Sequence, residues 1–387
     1  MDTRKPGAPA LVPCPDYAPE TVRRALEAAV EAAGGLDWVK PGMRVGIKLN
    51  LCAAKRPEAA ATTHPVPAAE LTRMLRARGA DVVLGDSPGG PFVAPLMHRC
   101  YEATGLRLCT EAGGTLNEDF GYTEVDNPEG RSLRRFAYVD WLRGCDAVVS
   151  FCKLKSHGMM AMSAAAKNMF GTIPGTMKPE YHFRFPNARD FADMIVDLAE
   201  YWKPRLSIVD AVVGMEGNGP TAGTARAIGC LLAGDSPHKV DLACASVLGI
   251  ARSEIPTLEA ARARGLIPDS VQDLEIAGDI NAFLVPDFQK IETKNGILFQ
   301  DNFHTPLGRF LSPFMMRHIA SRPQVCSPEC IGCQKCAQVC PAKAIGMRRG
   351  KPKIDRRLCI RCFCCQEFCP RGAMKVVRPP LARLLNK

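Results

Sequence analysis

The 387-residue chain has no stretch of about 18 uncharged apolar residues, which excludes a membrane-spanning helix. Its opening segment, MDTRKPGAPALVPCPDY, lacks a continuous apolar core and is broken by prolines, so no export signal is expected. Neither G-x-x-x-x-G-K-[ST] nor G-x-G-x-x-G occurs, and the usual routes to nucleotide binding lose their support. Lys155-Ser156-His157 is not a nucleophile elbow, so nothing argues for a Ser-His-Asp hydrolase. The C-terminal tail has only Phe363 and Phe368 as aromatics. Platforms for base stacking are thereby missing, and nucleic acid is not an expected partner.

What is present is an ordinary globular composition, 47% hydrophobic and 23% charged, long enough for two or three domains. Cysteine and charge are unevenly spread. Ten of the 18 cysteines lie between Cys326 and Cys369. From Arg322 to Lys387 there are 15 Lys+Arg and 3 Asp+Glu, net +12, whereas the rest is net −2. A small basic, Cys-rich module is therefore expected behind a near-neutral body. We expect a body at 8–284, a linker at 285–324 and the module at 325–378.

The module reads Cys330-x2-Cys333-x2-Cys336-x3-Cys340-Pro341, then Cys359-x2-Cys362-x2-Cys365-x3-Cys369-Pro370. Three closely spaced thiolates can wrap three corners of a cubane, and the fourth, before a proline, reaches the other cluster. Disulfides would need an oxidising compartment, and structural zinc usually pairs two C-x2-C knuckles. The segment resembles two-cluster bacterial ferredoxin domains, a small α+β unit. Two [4Fe–4S] clusters are expected. One would use Cys330, Cys333, Cys336 and Cys369, the other Cys359, Cys362, Cys365 and Cys340. Cys326 and Cys364 stand outside the pattern. With each cluster and its thiolates at −2, about +8 would remain on the tail. That charge suits an acidic redox partner. PPLARLLNK, at the end, is too short for a membrane anchor.

In the body, apolar periodicity predicts helices at 19–33, 67–78, 163–169, 188–201 and 239–248. Strands are expected at 43–51, in ADVVLGDS, and at 147–152, 206–213 and 227–233. Residues 115–140 read as an inserted hairpin or loop. The alternation predicts an α/β body, a mostly parallel sheet with crossover helices. Polar residues gather just past the expected strand ends, where open α/β sheets bind ligands. They are Lys48 and Asn50, TTHP with His64, Asp86 in GDSPGG, then Lys153, Lys155 and His157, then Glu216 and Asn218.

GIKLNLC, TTHP, GDSPGG, CKLKSHGMMAMSAAAKNMFGTIPG and VDAVVGMEGNGPTAGTAR resemble the motifs of domain of unknown function 362. The resemblance covers about residues 8–280, and members of that family often carry a C-terminal ferredoxin module. The family commonly has IKPN where this chain has IKLN. It implies no general reaction.

Lys48, Asn50, Lys153, Lys167, Asn168, Glu216 and Asn218 are the expected lining of a ligand cleft, with His157, His64, Lys155 and Asp86 as catalytic candidates. Lysines and glycine turns suit a small phosphate or carboxylate. Asp86 and Ser87 could equally set a turn, His182 could pack among aromatics, and Met159, Met160 and Met162 read as core. Cys52 and Cys152 read as inert small hydrophobes. Two functions remain open. One is an iron–sulfur oxidoreductase acting on a small anion or an organic cofactor, with His157 or His64 giving the proton. The other is a non-catalytic electron-transfer adaptor whose body docks a redox protein. The cytoplasm is the expected compartment. The sequence leaves open the substrate, the direction of electron flow, any further organic cofactor and the oligomeric state.

Overall fold

The computed structural model describes residues 8–291, 321–377 and 379. The body runs β1 (Ala10–Pro13), α1 (Pro19–Ala32), β2 (Arg44–Lys48), α2 (Pro65–Ala77), β3 (Asp81–Gly85), α3 (Ala94–Ala103), α4 (Arg107–Glu111) and β4 (Thr115–Leu116). A hairpin of β5 (Tyr122–Asp126) and β6 (Arg135–Val139) follows, then β7 (Ala147–His157), β8 (Ala161–Ser163), α5 (Ala165–Asn168), α6 (Lys178–Arg184) and α7 (Ala188–Trp202). β9 (Leu206–Glu216), β10 (Thr224–Gly234), α8 (Pro237–Val247) and α9 (Pro256–Arg262) complete it.

Seven strands form the sheet in the order β1-β10-β9-β7-β2-β3-β4, with the short β8 paired antiparallel to β7. β9, β7, β2, β3 and β4 are parallel, while β10 and β1 are antiparallel additions at one edge. The body is thus mostly parallel α/β, and the C-terminal ends of β3, β2, β7 and β9 share one edge.

Local chemistry explains the elements. α1 buries Val22, Ala25, Leu26, Ala29 and Val30 on one face. It stops at Gly34 and Gly35, both at positive φ, where side chains are disfavoured. β7 is buried at every position because β2 and β9 flank it. α1, α2 and α4 pack together, and α5, α7, α8 and α9 form a second group.

Several boundaries move. β7 runs five residues beyond the expected 147–152, so Lys153, Lys155, Ser156 and His157 are strand residues rather than loop residues. β9 extends to Glu216, which leaves the expected glycine turn. β2 ends at Lys48 rather than at 51, and α5 is shorter than 163–169, its expected first residue Ser163 belonging to β8. The region 115–140 contains the expected hairpin. Val285 and Phe288, expected in the linker, are buried against the body core, while residues 292–320 lie outside the described residues.

The C-terminal module has β11 (Arg322–Val325), α10 (Lys335–Gln338), β12 (Ile345–Arg348), β13 (Lys351–Ile354), α11 (Cys364–Glu367) and β14 (Met374–Val377). β11 pairs antiparallel with β14, and β12 with β13, over a small core of Ile345, Cys365 and Met374.

Candidate functional site

Two buried ion pairs brace the shared strand-end edge. Lys48, the last residue of β2, lies 2.6 Å from Asp86, just past the neighbouring β3. Asp86 also accepts from Leu51 N at 2.5 Å and Ser87 N at 2.7 Å. Asn168 closes the group, donating to the Lys48 carbonyl at 3.0 Å and to Ser150 Oγ at 3.1 Å. The second pair is Lys153 with Asp210, 2.6 Å apart in register across β7 and β9. Tyr17 OH donates to Asp210 at 2.9 Å and accepts from Lys153 Nζ at 2.7 Å. Burial pushes both lysines down, and their aspartates pull the other way.

These networks reassign several expected site residues. Lys48, Asp86, Asn168 and Lys153 already have partners inside the fold. His64 caps α2, its Nδ1 accepting from Val66 N at 3.3 Å, and its ring stacks on Tyr17 at 3.5 Å. Its backbone N–H reaches Asp210 at 3.2 Å. Glu216 accepts from Gln289 N at 3.0 Å, so it braces the chain rather than facing a ligand. Asn50 donates its backbone N–H to Thr63 Oγ1 at 2.9 Å, and its buried Oδ1 has no hydrogen-bond partner. Cys152 and Met159, Met160 and Met162 are buried in the core.

A different set of cations has no carboxylate partner within ion-pair distance among the described residues. Lys155 Nζ donates to Ala61 O at 2.7 Å and lies 3.4 Å from Cys52 Sγ. Lys178 donates to the Ser87 carbonyl, and burial pushes it down to about 8. Lys167 is likewise pushed down by burial and feels the charge of Glu367. Beside them sit His157 and His182, both buried. His157 Nδ1 accepts from Met159 N and Met160 N, each at 3.1 Å, which fixes the neutral ring's proton on Nε2. That Nε2 lies 2.7 Å from Glu367 Oε1, at an angle short of a full hydrogen bond. Burial and Lys167 hold His157 down at about 4. His182 stacks on Phe191 at 4.3 Å, its Nδ1 lacks a partner, and burial holds it at about 3.

Glu367 belongs to the module. Burial raises its pKa, but His157, Lys167 and His182 outweigh that and keep the carboxylate well below its ordinary range. It arrives because the second cysteine run is wedged into the body. Gln366, fully buried, donates to Asn218 O at 3.2 Å, Asn218 Oδ1 at 3.1 Å and Gly219 O at 2.6 Å. Thr221 Oγ1 donates to the Glu367 carbonyl at 3.1 Å. Phe363 joins the body core. Phe368 lies so close to Gly89 that a Cβ there would be 2.2 Å from its ring. GNGP and GDSPGG are therefore seats for the module, and Asn218 is a docking residue.

The sequence reading missed Lys178, Gln366 and Glu367. One signal was available for Glu367. A carboxylate inside a loop expected to hold a dianionic cluster needs a cation opposite it.

The cysteines gather across the two runs. Cys330, Cys333 and Cys336 line one pocket together with Cys369 of the second run. Cys336 has those three among its neighbours, while Cys365 has Cys362, Cys359 and Cys340, with Cys336 last. Among the described residues no three His, Cys, Asp or Glu side chains close on a single ion. Thiolates spread over a pocket in this way fit the corners of a cubane.

The buried histidines set an acid limit on stability. His64, His157 and His182 have folded pKa values of about 4, 4 and 3, against an ordinary 6.5. Below 6.5 the unfolded chain binds more protons, so stability falls as pH drops through that window. At pH 5 each fully buried histidine costs about 2 kcal/mol. Urea midpoints at pH 7.5 and 5 should therefore diverge less in His182→Phe than in the parent.

Residues 45–246, just over half of the chain, match the family described as "Domain of unknown function (DUF362)". The chain belongs to this family. Behind the DUF362 domain, residues 329–373 match a "4Fe-4S dicluster domain", so this is an iron–sulfur protein of electron-transfer type. The thylakoid-associated protein sll1697 of Synechocystis sp. is 30% identical over 263 residues, 66% of this chain and 79% of that protein. A crystal structure from Thermotoga maritima aligns at 14% identity and TM-score 0.36, covering 60% of this chain and 59% of that one. The lactate racemase apoprotein of Thermoanaerobacterium thermosaccharolyticum aligns at 15% and 0.38, covering 63% and 58%. The chain spans less than two thirds of either structure. No helix among the described residues is long and apolar enough to cross a membrane.

Proposed function

We propose that this DUF362 protein is an iron–sulfur oxidoreductase. It passes electrons between two [4Fe–4S] clusters and a small anionic molecule held at the strand-end edge, beneath the second cysteine run. The observation that carries this reading is the 2.7 Å approach of Glu367 to His157, which joins the cluster-binding helix to the cation-rich end of β7. Cys330, Cys333, Cys336 and Cys369 would hold one cluster, and Cys359, Cys362, Cys365 and Cys340 the other. Bound there, each supplies one-electron storage.

The chain's own residues do the rest. Lys155, Lys167 and Lys178 leave positive charge that Glu367 alone does not balance, and buried charge calls for a counter-ion. An anionic ligand meets that need. The proton that accompanies the electrons is delivered beside His157, whose neutral ring points its Nε2–H at Glu367. Reduced thiolates call for a reducing compartment. We place the chain in the cytoplasm or on a membrane's cytoplasmic face, in keeping with the name of the Synechocystis relative.

Anaerobic native mass spectrometry tests this reading. About eight iron and eight sulfide are expected per chain. A further non-covalent mass would identify the ligand. Reduced clusters should then be reoxidised when that anion is added. If no tested anion binds or reoxidises them, the body is a docking surface and the adaptor reading replaces this one.

A further inference from the structure

All three carboxylates of the module are engaged internally. Glu329 lies 2.7 Å from Lys375, Asp355 lies 3.0 Å from Arg357, and Glu367 lies 2.7 Å from His157. Lys335, Arg348, Arg349 and Lys353 are exposed and form no ion pair among the described residues. Lys335 lies within the first cysteine run, and the other three lie on the β12–β13 hairpin and its turn. The β12–β13 hairpin crosses that run's pocket, with Met347 and Pro352 lining it. Lys351 donates to Cys330 O at 2.5 Å and Ser327 O at 3.0 Å. Gly332 meets the hairpin tip so closely that a Cβ there would be 2.8 Å from Gly350 O. Among these cations sits Ile331, an apolar side chain left 63% exposed.

The two runs therefore differ in access. Cys362, Cys364 and Cys365 are buried and Cys359 is half-buried, whereas Cys333 is exposed. An external electron carrier can approach the first run more closely, at Cys333.

We propose that Ile331, together with Lys335 and the hairpin cations Arg348, Arg349 and Lys353, is the docking face for a small acidic electron-carrier protein. Each encounter moves one electron. The carrier is oxidised by one and the chain reduced by one, with no bond made or broken. Opposed charges speed the encounter and orient it, and a lone apolar contact lets it dissolve quickly. An anionic membrane would also favour the cations. It would have no need of a face centred on the more exposed cysteine run. The inference rests on the two-cluster reading above.

The test uses the full chain, loaded and with its iron counted, and reduced flavodoxin as the acidic carrier. Stopped-flow absorbance follows reduction of the chain without any substrate. The rate should fall about tenfold or more between low and high salt. Arg349→Glu with Lys353→Glu should slow it about tenfold at low salt, and Arg24→Glu on α1 should leave it unchanged. If the double variant loses iron, Ile331→Ser takes its place and must slow the rate. A salt-independent rate, or equal slowing by Arg24→Glu, overturns the proposal. So does binding to phosphatidylserine vesicles that the double variant abolishes while the flavodoxin rate stays unchanged. Normal reduction by flavodoxin with no anion able to reoxidise the chain would sink the oxidoreductase reading and leave this face standing.

Discussion

Cys365→Ser should cut the iron content from about eight to about four per chain and abolish electron delivery to the body. Cys365 is buried, and its charged neighbours include Cys340, Cys359 and Cys362. Cys340 comes from the other run, so ligation that crosses between runs makes a sharper forecast. Cys340→Ser should leave the same residual cluster as Cys365→Ser, with one electron paramagnetic resonance spectrum. Cys369→Ser should instead match Cys336→Ser, because Cys369 lines the pocket of the first run. In those two variants the surviving cluster is the one against the body. If Cys369→Ser groups with Cys365→Ser, each run holds its own cluster and the crossed assignment is wrong.

Lys153→Met should be the most destabilising single change in the body, by about 3–5 kcal/mol, because it strands a buried carboxylate. Lys153 and Asp210 are 1% and 0% exposed, and Tyr17 cannot neutralise the acid it bonds. Lys155→Met, two residues along the same strand, should cost far less, since its partners are a carbonyl and a thiol. Urea midpoints at constant iron content separate the two. Lys155→Met should instead weaken retention of the anion seen by native mass spectrometry. Equal losses of stability would mean that Lys155 is structural too, and would remove it from the proposed site.

The contrast between these lysines also marks where the sequence could be read. Element types and order were legible because α1 and α7 repeat apolar residues with helical period and because the cysteine spacing has few other meanings. The length of β7 was not. Its tail, KLKSH, looks like a solvated strand end, since lysine is rarely buried without a partner. The partner of Lys153 is Asp210, 57 positions away, and that of His157 is Glu367, 210 positions away. Pairings at such range leave no local periodicity. Gathering the polar strand ends on one edge was inferable from the β–α–β order. Which of those groups were already neutralised was not. Asn218 illustrates the cost of that gap. Its place just past a strand end suggested a ligand, but its amide oxygen accepts from Gln366.

The burial of Gln366 and Phe363 also orders the protein's biogenesis. Once Gln366 has bonded to Asn218 and Gly219, Cys362, Cys364 and Cys365 of the second run are buried, and a scaffold or carrier that delivers iron and sulfide meets only part-exposed Cys359 and Cys369. Cofactor insertion at that run is therefore expected to precede closure of the two halves. A chain that closes too early would be trapped half-loaded, and it would have to reopen this interface before it could be repaired.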